Sequence, residues 1–203
     1  YASFKKHKEK LLTEYKLRLK HGFKVSWLAP ENIKQDFGFE APGAIFSQDG
    51  GEVDAYLLTH ALIKAVQHMG HSVFTNTDVT QIDYRKNGVV LTTRSGHTIK
   101  TKKLVIACGY ESLKYVPKKI AEVNSTYALV SEPVPEKYLW HKNSLIWETA
   151  IPYLYFRIVS GNRILIGGKD DLCHDPNSSN TRIRRKTAML LHSFSQKMKN
   201  IPI

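Results

Sequence analysis

The sequence predicts an α+β fold in which a mixed, mostly antiparallel sheet with helices is joined to a smaller α/β segment containing a three-stranded meander. Three observations predict it. Residues 104–107 are four apolar residues without alternation, which is typical of a short strand buried on both faces. Residues 79–101 contain three strand-like runs separated by Asn-Gly and Ser-Gly turns. Residues 153–169 contain two alternating runs around Gly161-Asn162, the pattern of an antiparallel hairpin.

Two amphipathic segments, residues 3–19 and 181–199, are predicted to form helices. In each segment apolar side chains recur at helical spacing, and lysines and arginines occupy the other positions. In the first segment the residues expected to be buried are Phe4, Leu11, Tyr15 and Leu19. In the second they are Ile183, Leu190, Leu191, Phe194 and Met198.

A third predicted helix begins after Asp54, a favourable N-cap residue, and ends at Gly70. Its predicted buried face consists of Leu57, Leu58, Ala61, Leu62, Ala65, Val66 and Met69. Residues 71–74 follow as a short predicted strand, and the meander then leads to the strand at 104–107. Small residues at 107–109 end that strand, and they allow another backbone or a ligand to approach closely.

Four predicted strands make up an antiparallel layer in the last part of the chain: 125–131, 145–148, 153–160 and 163–169. A two-residue loop at Gly161-Asn162 is expected to fix the pairing of the last two. With that loop, the opposing pairs are Arg157 and Ile166, Tyr155 and Gly168, and Tyr153 and Asp170. Alternation then separates a core face (Leu154, Phe156, Ile158 and Leu165) from a polar face (Tyr153, Tyr155, Arg157 and Gly168).

The polar face is a candidate substrate-binding surface. Arg157 is predicted to bind a substrate carboxylate bidentately, and Tyr153 or Tyr155 is predicted to orient the substrate through a hydroxyl group. An alternative with equal weight is purely structural. In that case Tyr153 bonds Asp170, and Arg157 pairs with a neighbouring carboxylate on an exposed sheet.

The composition is that of a soluble globular protein, with 203 residues of which 42% are hydrophobic and 24% charged. The longest apolar run is about five residues, too short to span a bilayer. Two cysteines, Cys108 and Cys173, do not make a disulfide framework, so a reducing cytoplasm is the expected location. The net charge of +12 raises the possibility of nucleic-acid binding, but the basic residues are scattered and no recognition motif is present. We therefore expect no nucleic-acid partner.

The order of these motifs resembles the FAD-dependent oxidoreductases of the D-amino-acid oxidase and glycine oxidase type. The matching segments are Gly51-Glu52-Val53-Asp54, Gly70, residues 77–82 (Thr-Asp-Val-Thr-Gln-Ile) and residues 105–109 (Val-Ile-Ala-Cys-Gly). The resemblance runs from about residue 22 to residue 171. It implies that the backbone of Val79 contacts the adenine end of FAD. It also implies that Ala107, Cys108 and Gly109 pass close to the cofactor. Gly168 is a further expected cofactor residue for a different reason: the predicted register places it opposite Tyr155, where its missing side chain leaves space above the sheet for a ligand or the flavin ring.

Two motifs of that family are missing from this sequence. There is no G-x-G-x-x-G turn, which supplies the amides that hold the pyrophosphate, and the family's second glycine-rich segment is also missing. The chain is therefore expected to be a central fragment of a longer enzyme. FAD is expected in the full-length enzyme, whereas the fragment by itself is expected to hold none and to be inactive.

The resemblance also implies an organisation and a function. Residues 1–50 and 113–203 are expected to build a substrate-type domain, and residues 51–112 a partial Rossmann-like FAD-binding segment. The full enzyme is expected to oxidise a C–N bond of a small-molecule amine or amino acid by hydride transfer to FAD. Two alternatives stay open: a flavoprotein acting on a C–O bond, and a non-catalytic basic interaction module. The sequence identifies no catalytic residue and no metal site, because its histidines are spread singly.

Overall fold

A computed structural model describes residues 1–172 and 180–203 of the chain, so Cys173 lies outside the described residues. The chain divides into two compact units. Unit 1 consists of residues 1–52 and 123–203, and unit 2 of residues 53–122. The sequence placed its boundaries after residues 50 and 112. The assignment of a substrate role to one part and a cofactor role to the other stays a prediction.

Helices and strands alternate irregularly along the chain. The helices are α1 (Lys8–Lys20), α2 (Pro30–Phe37), α3 (Ala55–His68) and α4 (Asn180–Lys197). The strands are β1 (Val25–Leu28), β2 (Ala44–Ser47), β3 (Val79–Arg85), β4 (Gly88–Thr93), β5 (Thr98–Thr101), β6 (Asn124–Val130), β7 (Ile146–Trp147), β8 (Leu154–Val159) and β9 (Arg163–Leu172). Four short 3-10 helices lie at Lys5–His7, Gly109–Tyr115, Glu136–Tyr138 and His141–Asn143.

The predicted α+β class is confirmed. Unit 1 contains the antiparallel pair β1-β2 and a four-stranded sheet in the order β6-β9-β8-β7, and unit 2 contains the meander β3-β4-β5. All strand pairs among the described residues are antiparallel. None of the helices within the described residues is long and apolar enough to cross a membrane.

The core of unit 1 lies between the four-stranded sheet and α4. Alternation along β8 places Leu154, Phe156 and Ile158 in this core, as the sequence predicts. The Phe156 ring meets the Phe194 ring of α4 edge to face at 5.2 Å. Leu190, Phe194 and Met198 are buried as predicted, whereas Leu191 is half-buried and Ile183 is 55% exposed. An ion pair between Lys186 and Asp171 holds α4 against β9. The Lys186 Nζ atom lies 2.7 Å from Asp171 Oδ1, and its hydrogen bond lowers the pKa of that carboxyl group.

The helix predicted at residues 3–19 forms as α1, but its predicted burial is partly wrong. Leu11 and Tyr15 are half-buried, and the Tyr15 ring lies 5.9 Å from that of Trp27 in β1. Phe4 and Leu19 are 54% and 46% exposed. The helix rests on β1 and β2 along one narrow face only, so apolar residues at its two ends stay in water.

The predicted register of the β8-β9 hairpin is wrong by one residue. Val159 pairs with Arg163, so the connecting loop has three residues, Ser160 to Asn162, instead of two. A one-residue change in a hairpin moves every side chain of one strand to the opposite face. Ile164 and Ile166 therefore enter the core in place of Leu165, which is half-buried on the other face.

Unit 2 contains the predicted third helix and the predicted meander. The Asp54 Oδ1 atom accepts a hydrogen bond from the Leu57 amide at 2.9 Å, which confirms the N-cap, and Gly70 follows α3 with a φ of +83°. No residue of α3 is buried, however. Leu57, Leu62 and Met69 are 63%, 58% and 73% exposed, so the predicted burial of this face is wrong for the described residues.

Two predicted strands of unit 2 do not form. Residues 71–74 and 104–107 have no strand pairing, and Val105 is 85% exposed. A strand buried on both faces needs parallel neighbours and a helix layer on each side. The described residues provide only antiparallel pairs, so the apolar run has no partner with which to form a ladder.

Candidate functional site

The face of the four-stranded sheet that points away from α4 carries the candidate site. We call it the β8 polar face, and we define it as Tyr155 and Arg157 of β8, Tyr153 just before that strand, and Trp147 of β7. Trp147 pairs with Tyr155, so the two side chains lie on the same face. The rings of Tyr153 and Tyr155 are 6.1 Å apart and inclined by 34°. The structure thus brings the three predicted substrate-binding residues together.

Sequence reasoning missed Trp147 as a member of this face. The strand around it was predicted, but a stretch of two paired residues is too short to show alternation. Trp147 is 60% exposed and Tyr153 is 38% exposed, so this end of the face is open in unit 1.

The glycine opposite Tyr155 is Gly167, which corrects the sequence prediction of Gly168. A Cβ atom at Gly167 would overlap the Cζ and Oη atoms of Tyr155, so the tyrosine ring lies directly across this glycine. Gly168 pairs with Leu154, and a Cβ there would overlap the backbone carbonyl oxygen of Tyr153. The space that the sequence assigned to a ligand above Gly168 is therefore filled by protein in unit 1.

Arg157 pairs with a carboxylate that the sequence did not single out as a site residue. Its Nη1 atom lies 3.1 Å from Glu52 Oε2, and the two side chains are 27% and 35% exposed. This ion pair matches the structural alternative raised for Arg157. Because 105 residues separate the partners, no local pattern in the sequence could have revealed the pair.

A second carboxylate, Glu148, anchors the start of β8. Its Oε1 atom accepts from the Leu154 amide at 3.0 Å and lies 3.5 Å from Lys169 Nζ, while the Tyr1 hydroxyl donates to Oε2 at 3.3 Å. Burial, together with the charge of Glu148, raises the pKa of the Tyr1 phenol. Glu148 is only 11% exposed, so it holds the backbone under the β8 polar face and is not available to a ligand.

A cavity of about 660 Å³ adjoins the β8 polar face within unit 1. Glu52 and Trp147 belong to its lining, most of which is apolar and includes Leu28, Phe37, Phe46 and Ile146, and two cations, Arg18 and Lys142, also line it. Mainly apolar cavities of this size with a few polar groups are typical of small-molecule sites. The cavity and the β8 polar face together make one candidate site.

The predicted cofactor residues of unit 2 are accessible. Val79 begins β3 opposite Thr93 and is 39% exposed. Ala107 and Cys108 are exposed, and Gly109 has a φ of +58° with open space where a Cβ would point. The absence of side-chain bulk at residues 107–109 fits the close approach of a flat ligand. No group of three potential metal ligands occurs within residues 1–172 and 180–203.

Comparison with protein families decides what this combination of motifs represents. The family model described as FAD dependent oxidoreductase (DAO) matches residues 1–200. The chain belongs to this family of FAD-dependent oxidoreductases. The resemblance drawn from the sequence is thereby confirmed.

Three oxidoreductases are among the solved structures that share the fold of this chain at low sequence identity. Glycine oxidase from Geobacillus kaustophilus is 23% identical with a TM-score of 0.74, covering 98% of this chain and 54% of its own. L-Proline dehydrogenase from P. horikoshii is 16% identical with a TM-score of 0.79, covering 98% and 56%. NikD, an unusual amino acid oxidase of nikkomycin biosynthesis, is 19% identical with a TM-score of 0.72, covering 95% and 53%.

A curated relative comes from Escherichia coli O17:K52:H18 (strain UMN026 / ExPEC). It is L-2-hydroxyglutarate dehydrogenase, 29% identical over 90 residues, which are 44% of this chain and 21% of the relative. The chain thus spans about half the length of the three solved structures and a smaller part of the curated relative. These similarities establish the fold of this chain, and they do not establish a substrate.

Proposed function

We propose that this chain belongs to an enzyme that oxidises a C–N bond of a small-molecule amine or amino acid. The observation that carries the proposal is Arg157, a partly buried guanidinium that follows Tyr153 and Tyr155 on the same sheet face and is paired with Glu52, a residue of the cavity lining. The names of the three solved relatives each contain an amino acid or the words amino acid: glycine oxidase, L-proline dehydrogenase and the amino acid oxidase NikD. This agrees with a carboxylate-bearing amine as substrate.

In this proposal Arg157 positions the substrate. One of its five N–H donors is used by Glu52, and those that remain offer the planar fork that matches a carboxylate. The hydroxyl groups of Tyr153 and Tyr155 orient the same substrate from the side. Trp147 and the apolar cavity lining exclude water from its carbon skeleton. FAD, when bound, supplies the redox chemistry by accepting a hydride from the substrate carbon, and water hydrolyses the imine that results.

We further propose that Val79, Ala107, Cys108 and Gly109 hold FAD in unit 2, and that Gly168 belongs to the cofactor surface of unit 1. The exposed, small-residue segment at 107–109 supports the first part. At Gly168 the backbone passes directly against the Tyr153 carbonyl group, and we propose that this close approach shapes the cofactor surface of unit 1.

Replacing Arg157 with lysine in the full-length enzyme is expected to lower kcat/KM for a carboxylate-bearing amine by about 10- to 100-fold. Lysine keeps the charge but cannot reproduce the planar fork, and hydrogen bonds to charged groups are worth about 1.5–3 kcal/mol. Steady-state kinetics on an active substrate from a panel of amino acids provides the measurement.

The control for this experiment is Arg163→Lys. Arg163 lies at the hairpin end of the same sheet, where it bonds the Ser131 carbonyl oxygen, and its replacement is expected to leave kcat/KM unchanged. Equal kinetic constants for Arg157→Lys and the unchanged enzyme would remove Arg157 from the site.

A second candidate function is oxidation of the C–O bond of a 2-hydroxy acid. The curated relative, L-2-hydroxyglutarate dehydrogenase, favours it, because a 2-hydroxy acid presents the same carboxylate to Arg157. Turnover of a 2-hydroxy acid, with none of the matching amino acid, would select this candidate.

A further inference from the structure

The pair formed by Glu52 and Arg157 places two opposite charges side by side on the rim of the candidate site. The contact consists of one hydrogen bond, which Arg157 Nη1 donates to Glu52 Oε2 over 3.1 Å. Both side chains keep about a third of their surface exposed. Among the described residues Glu52 bonds through Oε2 alone, so its second oxygen is left for another donor. Neither charge is fully satisfied by its partner.

Such a pair is complementary to a zwitterion. An α-amino acid carries a carboxylate and an ammonium group on one carbon, so it can lie antiparallel to the protein pair with each charge against its opposite. Charge-assisted hydrogen bonds in both places are stronger than neutral ones. We propose that Glu52 binds the ammonium group of the substrate while Arg157 binds its carboxylate, so that the site selects amino acids over 2-hydroxy acids.

The same residue acts against the competing class of substrate. A 2-hydroxy acid bears only a negative charge, and Glu52, whose Oε2 atom lies 3.1 Å from Arg157 Nη1, repels it. Specificity is a difference of affinities, and a repulsive group in the site raises that difference as effectively as an attractive one. Glu52 is therefore assigned as a specificity-determining residue that acts in binding. The bound ammonium group releases one proton to water before the hydride leaves the α-carbon, so Glu52 forms no bond in the oxidation step.

The cavity indicates which side chain the amino acid carries. Glu52 lines the cavity of about 660 Å³, so an ammonium group bound there directs the rest of the molecule towards the apolar part of the lining, which includes Leu28, Phe37 and Phe46. Two cations, Arg18 and Lys142, also line the cavity. Apolar walls favour an apolar substrate side chain, because burying apolar surface is favourable and an unpaired polar group would lose its hydration. This inference rests on the proposed function, since it assumes that Arg157 binds the substrate carboxylate.

The test uses two probes that cannot be oxidised, because their α-carbon bears no hydrogen: 1-aminocyclohexanecarboxylate and 1-hydroxycyclohexanecarboxylate. They are achiral, they share one apolar ring, and they differ only in the ammonium or hydroxyl group. Calorimetric titration of the full-length FAD-bound enzyme gives a dissociation constant for each. We expect the unchanged enzyme to bind the amino probe more tightly, and Glu52→Gln to weaken that binding by about tenfold or more. Binding of the hydroxy probe is expected to stay equal or to tighten.

The matched control is Glu132→Gln, which removes a carboxylate that pairs with Arg163 and is 91% exposed. It is expected to change neither constant. Equal weakening of both probes by Glu52→Gln would indicate a merely structural ion pair and would overturn the inference. The inference would also be overturned if Glu52→Gln left the dissociation constant of the amino probe unchanged, or if the unchanged enzyme did not bind that probe. Failure of the proposed function has a different signature, namely that Arg157→Lys leaves both constants unchanged.

Discussion

Replacing Gly168 with alanine is expected to lower the free energy of unfolding of unit 1 by about 3–5 kcal/mol. Gly168 has a φ of +119°, which side chains rarely adopt, and such backbone strain costs about 1–3 kcal/mol. A Cβ there would in addition overlap the carbonyl oxygen of Tyr153, which accepts a hydrogen bond from the Lys169 amide and belongs to backbone that cannot move freely. Overpacking of this kind costs about 1–3 kcal/mol more.

Gly161→Ala separates the two contributions. Gly161 also has a positive φ, +76°, but no atom lies within 4 Å of the position of its Cβ. The control is therefore expected to lose about 1 kcal/mol, from backbone strain alone. All three tryptophans, Trp27, Trp140 and Trp147, belong to unit 1, so their fluorescence during urea unfolding reports on this unit. Equal losses in the two variants would show that the approach of the two backbones at Gly168 is not close.

Replacing Phe156 with alanine is expected to lower the free energy of unfolding of unit 1 by about 3–5 kcal/mol. Phe156 is fully buried, and its ring meets Trp140 and Phe194 edge to face at 5.5 and 5.2 Å. Its removal leaves a cavity between the sheet and α4, and it removes three aromatic contacts, the third being with Phe39 at 6.4 Å. The same urea titration measures the loss.

Phe23→Ala provides the matched control for that experiment. It deletes the same phenyl group from a residue that is 53% exposed, and such a surface change is expected to cost less than about 0.5 kcal/mol. A loss at Phe156 no larger than the loss at Phe23 would contradict the core that the structure describes.

Local patterns predicted the parts of the fold that depend on local physics. Alternation in β8 was enough to assign Leu154, Phe156 and Ile158 to the core, because adjacent side chains of a strand point to opposite faces. Asp54 and Gly70 marked the ends of the third helix through their own backbone chemistry. The polar face of β8 followed from the same alternation as its core face.

The errors have two causes: a loop length that the local sequence leaves open, and contacts between distant parts of the chain. The β8-β9 register depended on whether Ser160 belongs to the loop or to the strand, and one residue moved Gly168 away from Tyr155. Residues 104–107 have the composition of a buried strand, but burial needs neighbours that hydrophobicity alone does not supply. The pairing of Glu52 with Arg157 could not be predicted from the sequence, because the fold of unit 1 brings together two residues that are 105 positions apart.

The ring of Tyr155 across Gly167 has a consequence for how this site can change during evolution. Any residue larger than glycine at position 167 meets the end of the phenol ring, so either the ring swings away from Gly167 or position 155 becomes small. Both outcomes remove the hydroxyl from its place on the polar face. The two positions are therefore expected to covary among homologues that keep this face.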